Sequence, residues 1–117
     1  MAAAKEASLN PVAVVTGASR GIGRAIALAL GEAGCKVVVN YASNSAAAEE
    51  VVSEIIQRGK EKGSQAVALK ANCGVLSEVQ EMFAKASAQF GPIEILVNNA
   101  GITKDMLAIM MKPKDFT

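Results

Sequence analysis

The stretch TGASRGIG, residues 16–23, narrows what this chain can fold into more than any other. It follows the apolar run Val12 to Val15 and opens a helix-like segment that begins near Ile22. Gly17, Gly21 and Gly23 stand where a strand must turn sharply into a helix. Gly17 lets the chain leave the strand in a conformation that a Cβ would resist. Gly21 removes a side chain where a phosphate group would approach the backbone, and Gly23 lets the helix pack close to the strand. The free N–H groups of the helix's first turn then face the anion, which makes the stretch a phosphate cradle.

Glycines at such spacings also occur in purely structural tight turns, so the flanking chain has to decide. It has a strand before it, a helix after it and a second strand about 20 residues on, the setting of a dinucleotide loop. The other common phosphate motif needs a Lys followed by Ser or Thr after its last glycine. Arg24 and Ala25 stand there instead.

Taken in order, residues 1–10 read as a flexible lead-in and 11–15 as a strand apolar on both faces, as at the centre of a parallel sheet. Ile22, Ile26, Leu30 and Ala33 recur at helical spacing, with Ala25 and Ala29 beside them, and Gly34 ends that helix. Residues 36–41, KVVVNY, form a second strand. Ser43 and Ser45 offer N-caps for a helix whose apolar stripe is Val51, Val52, Ile55 and Ile56. Glu49, Glu50, Glu54, Arg58 and Lys60 form its solvated face. Residues 65–70 are a third strand. Ser77 and Gln80 have the spacing of a capping box, and Val79, Met82, Phe83, Ala86 and Phe90 make the stripe of the helix it would start. Gly91-Pro92 ends that helix, and residues 93–97 are a fourth strand leading into Asn98-Asn99-Ala100-Gly101.

The order β-α-β-α-β-α-β, joined by right-handed crossovers, specifies an α/β fold: the first half of a doubly wound parallel sheet, the Rossmann fold, with strand order 3-2-1-4. Its switch point lies between strands 1 and 4, so the glycine loop and the Asn-Asn-Ala-Gly turn converge on one crevice.

Composition excludes several functions. Histidine is absent, which removes Ser-His-Asp and Cys-His catalysis and any His-ligated metal. Cys35 and Cys73 have neither the spacing nor the partners for a zinc site or a disulfide framework, and a reducing compartment fits them best. With 12 basic and 11 acidic residues and an aromatic content of only 3%, the chain offers neither a cationic patch nor a stacking platform for nucleic acid. No apolar run is long enough to span a bilayer, and residues 1–10 lack the apolar core of a signal peptide.

Cofactor choice turns on the end of the second strand, where an NAD site places an acid to hold both ribose hydroxyls. Residues 39–45, VNYASNS, contain no acid, whereas an Asp or Glu at position 40 or 41 would have pointed to NAD(H). Arg20 stands in the glycine loop, able to pair with a 2′-phosphate. NADP(H) is the expected cofactor. Asn72, which closes the third strand before Gly74, admits two roles: a carbonyl accepting from the adenine amine, or an ordinary turn residue.

TGASRGIG together with NNAG resembles the fingerprint of the short-chain dehydrogenase/reductase family. The longer stretches TGASRGIGRAIALALGEAGCKVVVNYA and LVNNAGITKDMLAIMMK are similar to the 3-oxoacyl-[acyl-carrier-protein] reductases of type II fatty acid synthesis, with plant and algal plastid wording at GCKV and VNYA. The resemblance covers residues 11 to about 116 and identifies 11–117 as the N-terminal part of an NADP-binding Rossmann domain. It implies NADPH-dependent reduction of a 3-oxoacyl thioester carried on acyl carrier protein. It also implies that Gly17, Ser19, Arg20, Gly21, Ile22 and Gly23 hold the pyrophosphate and 2′-phosphate. Ala42, Asn72 and Cys73 would lie at the adenosine end, and Asn99, Ala100 and Gly101 at the ribose and nicotinamide side. The position of Asn72 is more often Asp in the wider family, and Met110 stands where many relatives have Arg.

The family's catalytic Asn, Ser, Tyr and Lys fall beyond residue 117, so no catalytic residue is named here. The only tyrosine, Tyr41, stands at the adenosine end, far from the hydride. The resemblance further implies a homotetramer when full length, no membrane or nucleic-acid partner, and residence in the plastid stroma or a bacterial cytoplasm. Two other functions stay open: a short-chain reductase with a different carbonyl substrate, and a non-catalytic NADP-binding module. The fourth strand is an apolar edge, so the 117 residues by themselves are expected to be poorly soluble or marginally folded, and without the family's Ser-Tyr-Lys segment inactive.

Overall fold

Four parallel strands in the order β3-β2-β1-β4 form a single sheet in the computed structural model, which describes residues 10–100. The elements along the chain are β1 (Val12–Val15), α1 (Gly21–Glu32), β2 (Lys36–Tyr41), α2 (Ser45–Arg58), a short 3-10 turn (Lys60–Lys62), β3 (Gln65–Lys70), α3 (Leu76–Phe90) and β4 (Ile93–Val97). The half-Rossmann order read from the sequence is thus present strand for strand.

β1 and β2 are central and their valines are buried, Val14, Val15, Val37, Val38 and Val39 completely. Removing such side chains from water stabilises by roughly 1.5–3 kcal/mol each. Alternation along the strands divides the core. Ala13, Val15, Val37 and Val39 face α1 and α2 on one side, while Val12, Val14 and Val38 face α3 on the other. β1 and β2 run in continuous register. Between β1 and β4 the register shifts after Val12, skipping Glu94, which stays exposed at the edge.

Three details differ from the sequence reading. The stripe expected on α1 holds in part: Ile26 and Leu30 pack half-buried against the core, but Ile22 is 74% exposed and Ala33 is exposed, while Gly23, Ala27, Leu28 and Gly31 are buried. At Gly31 α1 approaches α2 so closely that a larger residue does not fit. A Cβ on Gly31 would stand 2.6 Å from Ile55 Cγ2 of α2. Hydrophobic periodicity marks buried side chains and is blind to a seam where backbone meets side chain. The cap of α2 is Asn44, whose Oδ1 accepts from Ala47 N–H at 3.0 Å, and not Ser43 or Ser45. α3 begins at Leu76 after Val75, with no side-chain cap, so Ser77 and Gln80 form no capping box. Glu78 reaches back to Asn72 N–H instead, at 2.8 Å. The α2 stripe holds for Ala48, Val51, Val52 and Ile55, while Ile56 is 46% exposed.

The charged side of α1 and α2 is cross-linked. Glu54 accepts from Arg24 and pairs with Arg58, which also reaches Glu32 at 3.0 Å. These groups are well exposed, and such pairs contribute little net stability. No helix among the described residues is long and apolar enough to cross a membrane.

Candidate cofactor site

The glycine loop has two halves with different hydrogen-bonding fates. In the first half every backbone donor is used: Thr16 N–H donates to Val97 O, Gly17 N–H to Asn40 Oδ1 at 3.0 Å, and Ala18 N–H to Asn40 O at 2.8 Å. In the second half, Ser19 to Gly23, no N–H has an acceptor among the described residues. The first bond into α1 is Arg24 N–H to Arg20 O, and the helix start has no side-chain cap. A row of unsatisfied donors at a helix N-terminus is the arrangement that receives phosphate oxygens.

The glycines serve this geometry individually. Gly17 and Gly21 have φ of +60° and +61°, where an L side chain is strained. A Cβ on Gly21 would meet nothing within 4 Å, so its bare backbone faces open space. Gly23 allows a different close approach from the one expected. Its Cβ would stand 2.2 Å from Gly17 O and 2.6 Å from Asn99 Nδ2, so the glycine lets α1 close on the loop and on the turn after β4 rather than on the strand itself.

Thr16 draws the second motif into the same crevice. Its buried Oγ1 accepts from Asn99 N–H and Ala100 N–H, both at 2.9 Å, and donates to Val97 O at 3.3 Å. Asn99 Nδ2 donates to Gly17 O at 3.1 Å. The convergence read from topology is therefore a set of direct bonds. Gly101 and the segment 102–112 lie outside the described residues.

Beside the loop opens a cavity of about 400 Å³, lined by Gly17, Ser19 and Arg20 on one side and by Tyr41, Ala42, Ser43, Asn44 and Ala47 on the other. It contains no acid. Arg20 is exposed, and its guanidinium makes no ion pair or hydrogen bond among the described residues. The donor set suits an anionic ligand: open N–H groups, one uncommitted guanidinium and no carboxylate to repel it.

Position 40 reads differently in three dimensions. Asn40 is 1% exposed and lies beneath the loop, so an acid there could not reach a ribose. The positions that line the cavity are Tyr41 and Ala42. Asn40 Oδ1 takes the Gly17 N–H and the Cys73 thiol, and Nδ2 donates to Leu69 O at 3.3 Å and Ala71 O at 3.2 Å. The sequence reading gave Asn40 no role. Its signal was a lone amide closing the buried run VVV, a polar group that needs partners wherever it is buried.

At the end of β3, Asn72 is engaged as a turn residue: its Oδ1 accepts from Gly74 N–H at 2.8 Å and its carbonyl from Val75 N–H. Cys73 is half-buried, and burial raises its thiol pKa above the ordinary 9.0. The Cys73 thiol donates to Asn40 Oδ1 at 3.3 Å, and neither Asn72 nor Cys73 lines the cavity beside Arg20. Ile22 projects from the first turn of α1 into solvent beside the open N–H groups.

The family model for short chain dehydrogenases matches residues 11–117. This chain belongs to the short-chain dehydrogenase family. Among curated relatives, the 3-oxoacyl-[acyl-carrier-protein] reductase of Staphylococcus epidermidis is 51% identical over 92% of this chain and 43% of its own length. The 3-oxoacyl-[acyl-carrier-protein] reductase of Synechocystis is 52% identical over 90% of this chain and 41% of its own length. A Serratia marcescens short-chain dehydrogenase/reductase superposes with a TM-score of 0.72 at 38% identity, covering 81% of this chain and 38% of that one. A metagenomic blue fluorescent protein solved in complex with NADPH superposes with a TM-score of 0.66 at 40% identity, covering 80% of this chain and 38% of that one. The chain thus spans about two-fifths of the length of its curated relatives, and as a short-chain dehydrogenase it is part of an oxidoreductase family.

Proposed function

We propose that this chain forms the NADP(H)-binding half of a 3-oxoacyl-[acyl-carrier-protein] reductase. The observation that carries the cofactor choice is the acid-free cavity in which the Arg20 guanidinium, without a partner among the described residues, faces the end of β2 beside the N–H groups of residues 19–23, which have no acceptor among those residues. On this reading those N–H groups and the bare backbone of Gly21 receive the pyrophosphate, with Ser19 and Ile22 flanking it, and Arg20 pairs with the 2′-phosphate. Ala42, Asn72 and Cys73 border the adenosine. Asn99 and Ala100, held by Thr16, border the nicotinamide ribose, with Gly101 next in the chain. When bound, the nicotinamide supplies the hydride that reduces the ketone.

The 51–52% identity to two 3-oxoacyl-[acyl-carrier-protein] reductases supports the acyl substrate. The reduction also needs an acid to protonate the developing alkoxide. Tyr41 lines the cavity beside Arg20, and on this reading the proton donor comes from outside residues 10–100. Acyl carrier protein as substrate carrier, a homotetramer as the assembly, and the plastid stroma or a bacterial cytoplasm as the compartment follow from the same reading.

Fluorescence titration with NADPH and with NADH, on the protein and on its Arg20→Ala variant, tests the proposal. The expected result is NADPH bound well above NADH, with that preference lost in the variant. Equal affinity for the two cofactors in the unaltered protein would refute the 2′-phosphate assignment.

A further inference from the structure

We infer that Asn40 is a positioning residue that presets the glycine loop for the dinucleotide and fixes its distance from the adenosine side; the inference rests on reading this crevice as a dinucleotide site. The side chain ties its own strand to two segments far from it in sequence, the glycine loop and the end of β3. Oδ1 accepts from Gly17 N–H in the loop at 3.0 Å and from Cys73 Sγ beyond β3 at 3.3 Å. Nδ2 donates to Leu69 O and Ala71 O, the last carbonyls on the β3 side. The orientation is fixed by its partners, because the opposite one would set an NH2 against the Gly17 N–H and an oxygen against two carbonyls.

Three physical consequences follow. Gly17 has φ +60°, a conformation open to many alternatives in a free glycine, and the Asn40 bond selects one of them. Ala18 is held by the Asn40 backbone carbonyl, so the side chain and main chain of one residue grip consecutive loop N–H groups. These two amides are consumed within the protein, which leaves the later N–H groups as the ones available to a ligand. A loop set in this way before binding avoids the ordering cost of closing around the anion.

The pattern also explains why an amide stands there. Aspartate would keep both acceptor roles and would set a buried carboxylate against Leu69 O and Ala71 O. Leucine would leave Gly17 N–H without an acceptor under the loop.

The test compares the full-length protein with Asn40→Leu and with Val39→Ala, the neighbouring strand position, as a control for lost stability. Amide hydrogen exchange at Gly17 and Ala18 is read without cofactor, and NADPH affinity is read separately. The expected result is a Gly17 amide protected in the unaltered protein and exposed in Asn40→Leu, with Ala18 still protected. NADPH affinity should fall about tenfold in that variant, as the loss of one or two buried hydrogen bonds implies. Val39→Ala should lose stability with little change in affinity. Should Asn40→Leu fail to fold, Asn40→Ser takes its place with the same readings. A Gly17 amide that exchanges freely in the unaltered protein, or a fall in affinity equal to that of Val39→Ala, overturns the inference. Failure of the unaltered protein to bind NADPH overturns the dinucleotide reading instead, and Gly17 exchange still reports on the clamp.

Discussion

Replacing Thr16 with valine tests how the two sequence motifs are joined, because valine keeps the shape of threonine and removes only the hydroxyl. That hydroxyl accepts from Asn99 and Ala100 N–H at 2.9 Å each and donates to Val97 O at 3.3 Å. Val97 O also accepts from Thr16 N–H and Asn99 N–H, so Asn99 and Val97 each keep a partner. Ala100 N–H keeps none among the described residues. Two good hydrogen bonds at roughly 1 kcal/mol each are lost, and the added methyl recovers less than about 1 kcal/mol in this polar setting. The net cost is about 1–2 kcal/mol, a fall of roughly five- to thirtyfold in the folded-to-unfolded ratio. Urea unfolding of Thr16→Val beside Thr16→Ser measures it, with the serine variant expected close to the unaltered protein. A Thr16→Val protein as stable as the unaltered one would show that the hydroxyl does not hold the Asn99–Ala100 turn against the loop.

Other perturbations probe separate parts of the structure. Gly23→Ala should cost several kcal/mol, on the order of a severe core overpacking, because the new Cβ meets the Gly17 carbonyl at 2.2 Å; thermal unfolding unchanged from the parent would contradict the packing described. Ala42→Asp should weaken NADPH relative to NADH, since residue 42 lines the cavity, whereas Asn40→Asp should lower stability without favouring NADH; parallel titrations of both variants separate the two positions. Burial raises the Cys35 thiol pKa, with a smaller push from Glu94, and burial raises that of Cys73. The folded state therefore holds its thiol protons more tightly than the unfolded chain. Stability contributed by these groups is present below about pH 9 and declines as pH rises through their folded values, so urea midpoints should fall above pH 9 and fall less in a Cys35→Ala, Cys73→Ala double variant.

Much of this protein was legible in the residues themselves. The strands could be placed because buried parallel strands are continuous apolar runs, and Val12–Val15 and Lys36–Tyr41 are such runs. Their order followed from the doubly wound pattern expected behind a dinucleotide loop, and the glycine loop from a spacing with few physical explanations. The short-chain dehydrogenase family was visible in TGASRGIG and NNAG before any coordinates. What stayed hidden depends on distances between residues remote in sequence. The buried face of α1 runs through Gly23, Ala27, Leu28 and Gly31, and its two glycines, selected by close approach to the Gly17 carbonyl and the Ile55 side chain, leave no hydrophobic signal. The cap of α2 fell to Asn44, one residue from both serines, and α3 starts after Val75 with no side-chain cap at all. Above all, Asn40 is one polar residue at the end of an apolar strand when read in sequence. Only the stacking of β1, β2 and β3 sets its amide between Gly17, Cys73, Leu69 and Ala71, where a buried donor and acceptor can each find a partner.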